Sequence, residues 1–101
     1  MKMIFDWFDA KESKAFGESL AIFYMSRVKT EDGTRGSKFT ERKNRQLLEK
    51  LTQQIIVFRT KNKLNIYKKA QLSNVFKWRM LDAGFDTSYV DELTNWVTQH
   101  L

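Results

Sequence analysis

A chain of 101 residues, 42% hydrophobic and 30% charged, has apolar surface for one modest core and no more, which excludes a disordered chain and points to a single domain over residues 1–101. The absence of Cys excludes a disulfide framework, a thiolate metal site and a Cys nucleophile. The net charge of +6 is uneven: residues 1–26 sum to −1, 27–49 to +3, 50–81 to +8 and 82–101 to −4, so a basic centre precedes an acidic end.

The first eleven residues, MKMIFDWFDAK, are apolar, but Asp6 and Asp9 interrupt them and no small-residue cleavage site follows. They read poorly as a signal peptide. No apolar run approaches the roughly 20 residues that span a bilayer. The expectation is a soluble, cytoplasmic protein. Ile4, Phe5, Trp7 and Phe8 are candidate apolar interface residues. Pro is also absent, and because Pro inside a helix costs about 3 kcal/mol, its absence favours long helices.

A first helix is predicted over residues 10–28. Asp9 is placed to cap it, with Glu12 three residues on as a capping-box partner. Phe16, Leu20, Phe23 and Tyr24 fall on one face at helical spacing, with Ala10 and Val28 at its edge. Gly17 lies in that face and permits close helix approach, at a cost in intrinsic helix stability. Ile22 falls nearly opposite and joins the candidate apolar interface.

Residues 29–39, KTEDGTRGSKF, read as a mobile loop. The GTRGSK stretch has the residue types of a phosphate loop in the wrong order. That loop needs Gly-Lys-Ser/Thr after a strand, and here Gly-Ser-Lys follows a helix.

A second helix is predicted over 41–61, capped by Thr40 or Ser37. Asn44, Leu47, Leu48, Leu51, Ile55 and Phe58 form a narrow stripe, and Lys43, Lys50 and Lys61 line one flank. A hairpin over residues 54–68 competes, because QQIIVFR and KLNIY are rich in β-branched and aromatic residues around a polar TKNK. The unbroken stripe from Leu47 to Phe58 favours the helix.

A third helix is predicted over 65–83, capped by Asn62 or Asn65, with Gly84 as the C′ residue and Phe85 beyond it. Residues 58–80 hold seven bases, four aromatics and no acid. On a helical wheel neither the bases nor the apolar side chains of this element share one face. An element that is apolar most of the way round is predicted to be central, with Phe76, Trp78 and Met80 buried and the Lys and Arg stems covering apolar surface.

A fourth helix is predicted over 88–100, capped by Asp86, Thr87 or Ser88, with Asp91 and Glu92 in a first turn that suits the dipole. Tyr89, Val90, Leu93, Trp96, Val97 and Leu101 form its stripe. Four amphipathic helices with mostly short connections give an all-α fold, a four-helix bundle or a related compact helical array.

Chemistry is sparse. His100 is the sole histidine, and beside a helix C-terminus such a residue usually complements the dipole. Asp82, Asp86, Asp91 and Glu92 lack the alternate spacing of a calcium loop. No catalytic, metal or cofactor motif emerges, so no cofactor is expected. The expected function is a non-catalytic helical interaction module working through helix-face contacts with another protein or with a second copy. An enzyme with an unrecognised carboxylate site is one alternative.

The other alternative is nucleic-acid binding, since phosphate contacts need clustered Lys and Arg. The candidates are Arg35, Lys38 and Arg42 near the start of the second helix, Lys43, Lys50 and Lys61 along its flank, and Arg59, Lys63, Lys68 and Lys69 around the next connection. Against this stands the ordinary role of a charge run as a solvated face.

Overall fold

A computed structural model describes residues 8–28 and 38–101. Four helices are found among these residues: α1 (Lys11–Arg27), α2 (Arg45–Lys61), α3 (Ile66–Asp82) and α4 (Thr87–His100). The described residues contain no strand, and none of their helices is long and apolar enough to cross a membrane. The hairpin alternative over 54–68 is therefore overturned. The chain stays helical through Ile55, Ile56, Val57 and Phe58 to Lys61. Period-3.6 burial of Leu48, Leu51 and Ile55 outweighs the local β-propensity. Most of the expected loop, along with Ile4, Phe5, Trp7 and Arg35, lies outside the described residues.

The helix ends follow local hydrogen-bond chemistry. Asn65 caps α3, its side-chain oxygen accepting the Lys68 N–H at 2.8 Å. Asp86 caps α4 through the Tyr89 N–H at 3.3 Å. Helix α3 closes in a Schellman motif: the Phe85 N–H donates to the Met80 carbonyl, the Gly84 N–H donates to that of Leu81, and Gly84 takes φ of 95°.

Two starts differ from expectation. Asp9 accepts the Lys11 N–H at 3.2 Å, one residue too early to cap α1, which follows Ala10 without a side-chain cap. Residues 41–44 form a turn before α2, with Thr40 Oγ1 accepting the Lys43 N–H at 3.3 Å. The Asn44 amide donates to the Thr40 carbonyl at 3.2 Å, so that side chain serves the turn rather than the helix.

The helices alternate in direction. Phe8 meets Tyr67 edge-on and Glu18 pairs with Arg79, so α1 and α3 run parallel. Phe16 stacks on Phe58 across the antiparallel α1–α2 seam. Ser73 bonds Thr98 and Lys77 pairs with Asp91, which sets α4 antiparallel to α3.

The tightest seam is between α1 and α3. Ser13, Gly17 and Ala21, four apart, share one buried face of α1. A Cβ placed on Gly17 would lie 2.5 Å from the Leu72 carbonyl oxygen, so the two backbones meet where only hydrogen fits. Leu72, Phe76 and Met80 fill the α3 side. The fully buried Tyr24 and Tyr89 join their hydroxyls inside the core.

The structure corrects two sequence expectations about burial. Phe39, read as part of a loop, is buried and packs edge-on against Tyr89 at 5.6 Å. Trp78, read as buried, is 61% exposed, and Ile66 is 82% exposed. Helix α3 is not enclosed on all sides. Its Leu72–Phe76–Met80 side packs inward, while Ile66, Ala70, Asn74 and Trp78, four apart, face outward. Helices α1 and α4 cover α3, and α2 lies against α1 and α4 instead.

Candidate interaction groove between the first two helices

Helix α2 seats Leu48, Leu51 and Ile55 in the core. Beside that stripe run Lys50, Gln54, Val57 and Lys61, at spacings of three and four that keep them on one flank. Opposite them, α1 presents Phe16 and Phe23, seven residues apart and therefore two turns along the same side. Together these flanks line a groove of about 650 Å³. Phe16, Phe23, Val57 and Phe58 supply its apolar surface, and Lys50, Gln53, Gln54, Lys61 and Asn62 its polar edge. Val57 is 54% exposed, so the apolar surface is open to solvent.

The rings in the groove are already engaged. Phe16 and Phe58 stack at 4.2 Å between centroids and 5° between planes. The Arg27 guanidinium lies 4.0 Å above the Phe23 ring. That cation–π contact fixes a charge at the α1 end of the seam.

One turn beyond Phe23 and Lys50 a second cavity of about 460 Å³ opens between the end of α1 and the start of α2. Arg27, Arg42, Lys43 and Arg45 line it, with Asn44 and Gln46 between them. No carboxylate lines either cavity among the described residues. The neighbouring depressions differ. Lys63 and Lys68 share a cleft of about 340 Å³ with Asp9, Lys11 and Glu12. On the far flank of α2, Arg42 and Arg45 share another with Glu41, Glu49 and Trp96.

The structure thus divides the ten basic candidates. Lys50 and Lys61 border the groove, and Lys43 lies in the adjoining cavity with Arg42. Lys63 and Lys68 sit among acids. Arg59 donates to the His100 carbonyl at 3.0 Å and ties α2 to the C-terminal end of α4. Lys69 is half-buried on α3, Lys38 is exposed before Phe39, and Arg35 is outside the described residues. Among the apolar candidates, Phe8 is 56% exposed against Tyr67, and Ile22 is 46% exposed and does not line the groove.

Sequence reasoning missed Arg27, Arg45 and Val57 as site residues, and treated Phe16 and Phe23 purely as core. The wheel position of Val57 beside Lys50 and Lys61 was the available signal.

The basic centre is partly balanced by Asp91 of the acidic end, which pairs with Lys77 at 3.3 Å, and by Glu18 of α1, which pairs with Arg79 at 3.6 Å. Both pairs are solvent-exposed and add little stability. The His100 Nδ1–H donates to the Trp96 carbonyl at 2.7 Å, and its ring packs on Trp96, so this histidine closes the last turn of α4. Among the described residues no three His, Cys, Asp or Glu side chains come together to hold a metal ion. Comparison with protein-family models, curated proteins and solved structures finds no match for this chain.

Proposed function

We propose that this protein is a small, non-catalytic interaction module that docks the apolar face of a partner protein's helix in the α1–α2 groove. The observation that carries the proposal is the apolar lining of the groove, exposed at Val57 and half-buried at Phe16, Phe23 and Phe58. An apolar surface left open on a soluble domain usually marks a partner site. The shape favours a helix over a small ligand. Small-molecule sites enclose most of their ligand, whereas a docked helix buries one side only. The flank from Lys50 to Lys61 runs roughly 16 Å along α2, about three turns of a docked helix. A cytoplasmic setting belongs to the same proposal, since a chain without Cys needs no oxidising compartment to fold.

The test is a selection from a displayed library of amphipathic helical peptides against the folded protein. Binders are expected, and Val57→Asp is expected to abolish their binding while leaving the circular-dichroism spectrum unchanged. Failure to select any binder, or binding that survives Val57→Asp, would sink the proposal.

Nucleic-acid binding is the second reading, supported by the four bases of the adjoining cavity. Base stacking receives less support, because Phe16 and Phe58 cover each other and Arg27 covers Phe23. Titration with a mixed-sequence oligonucleotide at low salt tests it. Binding that weakens steeply with added salt would favour this reading, and no binding would remove it.

A further inference from the structure

Given the groove as a helix-docking site, on which this inference rests, we propose that the partner helix is acidic: an amphipathic helix with apolar anchors at spacings of three and four and carboxylates along its flanks.

The sign of the charge around the seam selects the partner. Lys50 and Lys61 border the apolar strip, and Arg27 stands over Phe23 at its α1 side. No described lining residue there is acidic. This is not a general property of a basic protein. The two neighbouring clefts mix signs, one through Asp9 and Glu12, the other through Glu41 and Glu49. One-sided charge therefore coincides with the open apolar strip between α1 and α2. Complementary charges steer encounter and select the partner, and like charges brought together oppose it.

The same charges argue against other occupants. A basic amphipathic helix would bring cations onto cations. Two copies pairing seam to seam about a two-fold axis would do the same. A second copy's acidic α4 does not fit either. Its apolar side chains Val90, Leu93 and Val97 are fully buried in its own core. Its exposed residues Ser88, Asp91, Glu92, Asn95 and Gln99 offer nothing to an apolar strip.

The same peptide selection, with flanking positions fully randomised, decides the matter. Asp and Glu are expected to be enriched at the flanks. A selected peptide should bind less tightly as salt rises. Lys50→Gln and Lys61→Gln should each weaken it about two- to fivefold, the range for rim charges. Lys63→Gln and Lys68→Gln, in the mixed cleft, should leave it unchanged. Enrichment of neutral or basic flanks would overturn the acidic partner while leaving the groove as a docking site. No selected peptide at all would remove both. A parallel arm uses vesicles of phosphatidylcholine with phosphatidylglycerol. Binding to them that is lost in Val57→Asp and is tighter than any selected peptide would reassign the seam to an anionic membrane surface and overturn the proposal.

Discussion

Replacing Gly17 with Ala sets two measurable effects against each other. In a helix interior Ala is favoured over Gly by about 1 kcal/mol. On α1 that gain meets the Leu72 carbonyl, whose oxygen would lie 2.5 Å from the new methyl carbon. The obstacle is backbone on both sides, so no side chain can swing away. Ordinary contact would require the helices to part by about 1 Å, and a gap of that size forfeits up to half of the dispersion energy of the atoms it separates. The affected seam includes the fully buried Ala21, Leu72, Phe76 and Met80. Overpacking of this kind costs typically 1–3 kcal/mol, so the net expectation is a loss of up to about 2 kcal/mol. For a domain of this size that lowers Tm by up to roughly 15 °C. Thermal unfolding followed by circular dichroism measures it. Ala15→Gly, at an exposed position on the same helix, calibrates propensity alone and should cost about 1 kcal/mol. A Gly17→Ala variant that melts higher than the parent would show that α1 and α3 do not approach as described.

Three further outcomes are expected from the same melting assay. Thr94 Oγ1 is buried with no hydrogen-bond partner among the described residues, so Thr94→Val should stabilise the fold by about 1 kcal/mol, and a loss would reveal a partner. Tyr24→Phe removes a buried hydroxyl bonded to Tyr89 and should cost about 1–3 kcal/mol. The Tyr24→Phe/Tyr89→Phe double variant should cost less than the sum of the single ones, and strict additivity would mean that the hydroxyls are not coupled. Gly84 has φ of 95° and nothing within 4 Å of the place a methyl group would take, so Gly84→Ala should cost about 1 kcal/mol through backbone strain alone. Gly84→Asn should recover part of that, because Asn tolerates this conformation.

The groove was half legible in the sequence. Lys50 and Lys61 stand out as a basic flank because a periodicity of 3.6 can be read without coordinates. Arg27 and Arg45 belong to different helices and converge only because α1 and α2 run antiparallel, so that the end of one meets the start of the other. The same crossing sends Lys63 and Lys68 to Asp9 and Glu12, which lie more than fifty residues earlier in the chain. No local pattern carries that information. The proposed acidic partner therefore depends on the tertiary arrangement, although each charge that supports it is visible in the sequence.

The sequence by itself determined the helices and most of their ends. Apolar spacing placed all four elements, Asn65 and Asp86 supplied caps, and Gly84 the left-handed stop, because these are contacts among residues a few positions apart. Gly17 marked where a backbone could come close. Which side of each helix is covered was decided only by the tertiary structure. Trp78 has the composition of a core residue and is 61% exposed, while Phe39 ends the stretch that reads as loop and is buried. The physical reason is that a wheel reports how apolar a face is, whereas burial depends on which neighbour arrives. Here α1 approaches α3 closely through Gly17 and α4 packs alongside. Helix α2 lies against α1 and α4, which leaves the Trp78 face of α3 uncovered and the apolar groove open beside Val57.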